Sequence, residues 1–209
     1  MDIQTPIQAT INRLCPAAEP DLVKAFDHAG DVLPGHGIGT RLRLQHFLAQ
    51  VFHETGQLRR AEESLNYTTA ARLMVVWPSR FKRPADAMPF VSNPQALANA
   101  VYGGRMGNTQ PGDGWAYRGR GLLQLTGREM YARVGRAAGL DLETSPELAC
   151  APETALLVAA TVWALKQCNA SADQDDVAGV TRRINGGSNG LQDRTRLLKR
   201  IRTGQEWRA

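Results

Sequence analysis

The chain has 209 residues, 43% of them hydrophobic and 22% charged, with a formal net charge of +5. That length suits one medium domain or a core with a small second lobe, and the apolar share excludes a disordered chain. No stretch approaches the roughly 18 apolar residues of a membrane span. The first residues lack the basic start and apolar run of a secretory signal, so synthesis in the cytosol is expected.

In chain order, residues 21–29 read as a short helix closed by Gly30. Residues 32–39, with Pro34 and three glycines, read as a loop. Over residues 40–55 the apolar side chains Leu42, Leu44, Phe47, Leu48, Val51 and Phe52 recur near helical spacing, and Gly56 is the stop signal. Residues 67–77 suggest another helix, ended by Pro78. Residues 78–93, with Pro78, Pro84 and Pro89, read as an irregular connection and a lobe boundary. Asn93 and Pro94 open a helix that closes at Gly103. Residues 103–121 are glycine-rich and aperiodic, and so long an irregular stretch inside a domain is usually functional.

Residues 122–126 read as an extended run. Thr126 and Glu129 then match a capping box, so a helix is predicted to Ala138. Ser145 opens a further helix. Pro152 starts the most apolar one, through Leu156, Leu157, Ala160, Trp163 and Ala164. Residues 175–184 are amphipathic and stop at Asn185, and Leu191, Leu197, Leu198 and Ile201 give the last helix its apolar side. The expected fold is mainly α, with at most one small β-hairpin.

Three cysteines, Cys15, Cys150 and Cys168, are an odd set that argues against a full disulfide framework. One Cys150–Cys168 bridge stays open if two helices pack antiparallel there. The positive excess gathers at the end, where Arg182, Arg183, Arg194, Arg196, Lys199, Arg200, Arg202 and Arg208 face only Asp193 and Glu206. Such a run suits either a polyanionic partner or a solvated helix face.

Two carboxylates carry the clearest chemistry. Glu54 ends the helix over residues 40–55, and Glu63 lies nine residues on, beyond the stop at Gly56. A pair facing across a groove, roughly 6.5–9.5 Å apart, can protonate a glycosidic oxygen and activate a water. Helix-end placement and burial beside Phe52 both suit Glu54 to the acid role. Glu62 competes with Glu63 as the base. Thr126 is a candidate to hold the water, although a capping role would also engage its hydroxyl. Gln124, two residues earlier, faces the same side of an extended run and suits a sugar hydroxyl or acetamide. Asn185 is either a substrate contact or a helix cap, and Arg194 either orders a carboxylate or is surface charge.

Other chemistries lack their residues. Position 57 is Gln where the helical zinc motif needs His, and His28, His36, His46 and His53 form no ligand set. Phosphate-binding and nucleophilic-serine motifs are absent, so neither metal nor cofactor is expected.

His53-Glu-Thr-Gly56, Glu63, the run from Tyr117 to Thr126 and Ile184-Asn-Gly-Gly187 together resemble glycoside hydrolase family 19, the plant-type chitinases and phage endolysins. The resemblance covers about residues 42–200. The short step from Glu54 to Glu63, Asn66 with Tyr67, and residues 106–115 look more like the endolysin branch. The resemblance implies a lysozyme-like fold with a cleft between two lobes, and inversion at the anomeric carbon. It assigns Glu54 as general acid, Glu63 as general base and Thr126 as holder of the water. Gln124 and Asn185 match substrate-binding positions, and Arg194 matches an arginine that supports the carboxylates. Tyr117 and Tyr131 complete the substrate-binding candidates.

The expectation is a single catalytic domain over residues 1–209, its smaller lobe around 68–115, with no separate wall-binding module. It would act as a monomeric, peptidoglycan-degrading endolysin that reaches the wall after a membrane pore opens. Its basic final helix would attract anionic envelope polymers. A chitinase of the same mechanism is the alternative, and a basic nucleic-acid or envelope-binding module the non-enzymatic one.

Overall fold

The helix that carries Glu54 is also the axis of the fold. The computed structural model describes residues 2–207 and leaves Met1, Arg208 and Ala209 outside. Its α-helices are α1 (Gln4–Leu14), α2 (Pro20–Lys24), α3 (Ala29–Gly35), α4 (Arg41–Glu54), α5 (Ala70–Val76), α6 (Pro84–Ala87), α7 (Pro94–Tyr102), α8 (Asp113–Ala116), α9 (Arg128–Ala138), α10 (Ala155–Leu165), α11 (Cys168–Asp173), α12 (Val177–Asn185) and α13 (Leu191–Arg202). Single 3-10 turns lie at Met88–Phe90, Pro146–Ala149 and Gln205–Trp207. The mainly helical expectation holds.

Thr40 caps α4 by accepting from the Arg43 amide at 3.3 Å, as its β-region backbone allows. Every residue from Leu44 to Phe52 is buried, so α4 is enclosed on all sides rather than amphipathic. α13 packs along it, and Phe47 meets Trp163 of α10 edge-on at 5.5 Å. This core also takes Ile7, Ile11 and Leu14 from α1 and Tyr131 and Val134 from α9.

A second apolar cluster joins Leu65, Leu73, Phe81, Ala87, Leu97, Ala98 and Val101. Segment 78–93 is therefore not a boundary. Phe81 and Ala87 anchor it in this cluster, and Pro84 opens α6 where a missing N–H costs nothing.

Three other readings change. Helix 21–29 is two elements, because α2 ends at Lys24 and a new helix starts at Ala29. The loop expected over 32–39 is partly α3, which tolerates Pro34 in its last turn. Run 122–126 is a tight turn, not an extended strand. Arg120 and Leu125 exchange both backbone bonds, at 2.7 and 3.0 Å, and the consecutive leucines Leu122 and Leu123 are both buried instead of alternating. Arg120 also bridges Glu62, so strand pairing is confined to isolated bridges joining Glu62, Arg120 and Leu125. Helices α1 and α11 escaped the sequence reading.

The Cys150–Cys168 bridge does not form, and all three cysteines are free. The Cys150 thiol turns back to donate to the Glu147 carbonyl. Cys168 is sealed in the core, where burial pushes its thiol up to about 12. No described helix is long and apolar enough to cross a membrane.

Candidate active site

Glu54 is the last residue of α4, and the chain reverses immediately after it. The Thr55 hydroxyl donates to the Val51 carbonyl at 2.7 Å and accepts from the Leu58 amide at 2.8 Å. Gly56, Gln57 and Leu58 all have left-handed φ, near +60°. Only the first is glycine, so the turn holds two side-chain-bearing residues in a sparsely populated region, and burial of Leu58 helps to hold it there.

The returning segment docks on the glycine-rich loop. The Glu63 amide donates to the Gly119 carbonyl at 2.9 Å, and the Gly121 amide to Ala61 at 2.7 Å. A side chain at position 119 would place its Cβ 3.2 Å from the Glu63 carboxylate and 3.4 Å from the Gln124 amide, which explains glycine there.

The two expected acid–base carboxylates line one furrow. A cavity of about 550 Å³ is bounded by His53, Glu54, Arg60, Glu63, Asn66 and Gln124 among others. A second, of about 420 Å³, continues from Glu54 and Gln124 past Thr126 to Lys166 and Asn185. Glu54 and Gln124 belong to both, so Thr126 and Asn185 share the furrow with Glu63.

Each carboxylate has its own support. Arg194, fully buried on α13, donates one guanidinium nitrogen to Glu54 and another to the buried Gln50 amide oxygen. Arg194 therefore lies against a carboxylate and away from the surface. Glu63 accepts from the Tyr102 hydroxyl, which lies 2.8 and 2.9 Å from its two oxygens, and faces the Gly119 amide at 3.4 Å. Burial, followed by the charge of Glu63, pushes the Tyr102 hydroxyl well above the ordinary tyrosine range, so it stays a donor. Tyr102→Phe is expected to cut turnover about tenfold and to lower the melting temperature by roughly 3–12 °C, since a hydrogen bond to a charged group is worth roughly 1.5–3 kcal/mol. Steady-state rates beside a thermal melt check this.

Glu62 and Glu63 now separate. The Glu62 carboxylate accepts from both Arg118 and Arg120, the latter at 2.8 Å, and both guanidinium groups are largely buried. Arg118 in turn stacks 3.6 Å above the Trp115 ring. Glu62 thus fastens the loop, and its carboxylate, although it lies on the cavity wall, is already engaged by two cations. Glu62→Ala is expected to cost about 1–3 kcal/mol of stability, because two buried cations lose their acceptor. Chemical denaturation measures the loss.

The capping box at Thr126 does not form. The N-cap of α9 is Gly127, and the Arg128 and Glu129 amides are met instead by the Asn108 side chain at 2.9 Å and the Met106 carbonyl at 3.1 Å. The Thr126 hydroxyl is left to the furrow.

Tyr117 and Tyr131 do not reach it. The Tyr117 hydroxyl donates to the Glu143 carbonyl at 2.9 Å, and Tyr131, fully buried, donates to the Arg118 carbonyl at 2.8 Å. Their rings meet edge-on at 5.3 Å, so their aromatic surface is spent inside the core. Asn185 lines the furrow while its amide braces the following loop, accepting from Gly187 at 2.9 Å and donating to Asn189 at 2.8 Å.

Sequence reasoning missed Gln50, Tyr102 and Lys166. Gln50 stands one turn before Glu54, and a polar residue inside an apolar helix was its signal. Tyr102 had none beyond closing α7. Lys166 donates to the Ile184 carbonyl at 2.6 Å, and burial holds its ammonium below the ordinary lysine range. His53 is bonded to Asp193 at 2.7 Å. Its ring lies 2.3 Å from where a Cβ at Gly190 would stand, so that position requires glycine.

The basic end is thinner than its count. Arg194 is buried, Arg196 pairs with Asp193, Arg202 with Asp175, and Arg182 with Asp176 at 3.6 Å. Arg208 lies outside the described residues.

No family model matches the chain. Over 196 residues it is 36% identical to a Glycosyl hydrolase family 19 domain-containing protein of Haemophilus influenzae, covering 93% of this chain and 94% of that one. Among solved structures it resembles chitinase C of Streptomyces griseus, with a TM-score of 0.58 at 20% identity over 97% of this chain and 76% of that one. It also resembles a family 19 class IV chitinase of Zea mays, with a TM-score of 0.55 at 20% identity over 96% and 90% of the two chains. These structural likenesses bear on the fold, whereas the first match extends over nearly the whole of both sequences. The chain belongs to glycosyl hydrolase family 19 and is a glycoside hydrolase.

Proposed function

We propose that the chain hydrolyses β-1,4 bonds in the glycan strands of peptidoglycan, with inversion. Glu54 acts as general acid and Glu63 as general base. The observation that carries this reading is the pair of carboxylates on one furrow, each braced from behind by a different element. Glu54 gives its proton to the glycosidic oxygen, and the Arg194 guanidinium stabilises the carboxylate left behind. Glu63 takes a proton from water as that water attacks the opposite face of the anomeric carbon. The Thr126 hydroxyl orients the water. Gln124 and Asn185 bond sugar hydroxyl or acetamide groups.

The step of nine residues from Glu54 to Glu63, and the likeness of residues 106–115 to the endolysin branch, favour peptidoglycan. On this reading the protein serves lysis of a host cell by a phage, prophage or tail-like element. It acts as a monomer released through a membrane pore, with Lys199 and Arg200 of α13 attracting anionic envelope polymers. Chitin cleavage is the second reading, favoured by the chitinases among the structural neighbours.

Mass spectrometry of products from purified sacculi and from chitin oligosaccharides tests both. Muropeptides with ordinary reducing ends support the proposal. Anhydro ends would make the enzyme a transglycosylase, and cleavage of chitin alone would replace the substrate.

A further inference from the structure

Arg60 is a cation of the furrow whose side chain has no partner among the described residues. It follows the left-handed turn after Glu54, and its amide bonds the Thr55 carbonyl at 3.1 Å. Its exposed side chain borders the same cavity as Glu54, Glu63, Ser64, Asn66 and Tyr67. The carboxylates and carbonyls near it are otherwise engaged. Glu62 is held by Arg118 and Arg120, Glu63 by Tyr102, and the Gly56 carbonyl by Arg59 at 2.8 Å. Among the described residues Arg60 makes neither a side-chain hydrogen bond nor an ion pair.

A guanidinium presents paired N–H donors in a fixed fork that matches a carboxylate. A chitin strand is uncharged and offers no such group. Peptidoglycan offers two sources: the lactyl carboxylate of a muramyl residue whose peptide has been removed, and the carboxylates of the stem peptide. We infer that Arg60 is a specificity-determining residue that binds a substrate carboxylate on the Glu63 side of the furrow. This deepens the peptidoglycan reading and rests on it.

The test compares the parent with Arg60→Gln and Arg60→Lys on three glycan preparations: stem-bearing strands, strands stripped of peptide by an amidase, and stem-bearing strands whose carboxylates are converted to amides. Position 60 is exposed, so both variants should fold, and circular dichroism checks this. The expected result is that Arg60→Gln loses about tenfold in kcat/KM on stem-bearing strands, mainly through KM, and that Arg60→Lys recovers part of it. On the amidated strands the loss should be at most about twofold. On stem-bearing strands the lactyl group is held in an amide, so a loss there assigns the contact to a stem carboxylate; a loss that persists on stripped strands shows that the fork also takes the freed lactyl carboxylate, and its disappearance there shows that it takes the stem alone. An equal loss on charged and amidated strands, or none on either, overturns the inference while leaving the peptidoglycan reading intact. A parent that cuts no peptidoglycan strand overturns both.

Discussion

Glu54→Gln is expected to lower turnover by about 10²–10⁴-fold, the range a positioned general acid contributes. The substitution is close to isosteric, so the furrow keeps its shape and the amide oxygen can still accept from Arg194. What disappears is a proton that can be handed to the leaving oxygen. Glu63→Gln should act comparably, because an amide cannot take the proton from water. Glu54→Gln carries a stability cost of about 1–3 kcal/mol, since the buried guanidinium of Arg194 trades an anion for a neutral group. Far-UV circular dichroism should stay that of the parent, so a lost rate cannot be blamed on a lost fold. Release of soluble muropeptides from sacculi measures the rate. A variant that releases them as fast as the parent would remove Glu54 from the mechanism.

Local signals in the sequence located the elements better than they located the support of the site. α7 was readable to its ends because Asn93 with Pro94 opens it and Gly103 closes it, and both act within a few residues of the helix. α4 was readable because its apolar side chains repeat at helical spacing. α1 repeats as clearly, at Ile3, Ile7, Ile11 and Leu14, but Pro6 in its first turn disguises a position where proline is tolerated. Thr126 shows the opposite error. The motif for a cap is present, yet Asn108 and Met106, from a loop far back in the chain, satisfy the same amides. Tyr117 and Tyr131 were candidates for binding substrate, and both are buried away from the furrow.

The two carboxylates were legible, but what holds them was only partly so. Arg194 stayed open between ordering a carboxylate and surface charge until the family likeness was added, because it stands 140 positions beyond Glu54 and leaves no spacing to read. Tyr102 reaches Glu63 across 39 residues, from the second apolar cluster. Choosing Glu63 over Glu62 required knowing that Arg118 and Arg120 had already engaged Glu62. A carboxylate's chemical role follows from its partners, and partners this distant in sequence are set by the packing of α4, α7 and α13.

Arg194→Met is expected to destabilise the protein by about 3–5 kcal/mol, the usual result when one member of a buried ion pair is removed. Arg194 is 1% exposed, and its side chain connects α13 to both Gln50 and Glu54 of α4. Methionine fills part of the volume but returns no donor, so Glu54 loses its counter-charge and Gln50 its partner. For a chain of this size the thermal midpoint should fall by roughly 6–20 °C. Turnover should fall as well, because the carboxylate formed on proton transfer loses its stabilising cation. A double-mutant cycle separates the ion pair from plain packing. In a Glu54→Gln background the same substitution should cost less, because no carboxylate is left to be orphaned, and the difference measures the coupling. If the two costs simply add, the pair is not energetically linked, and Arg194 would be a packing residue that happens to touch an acid.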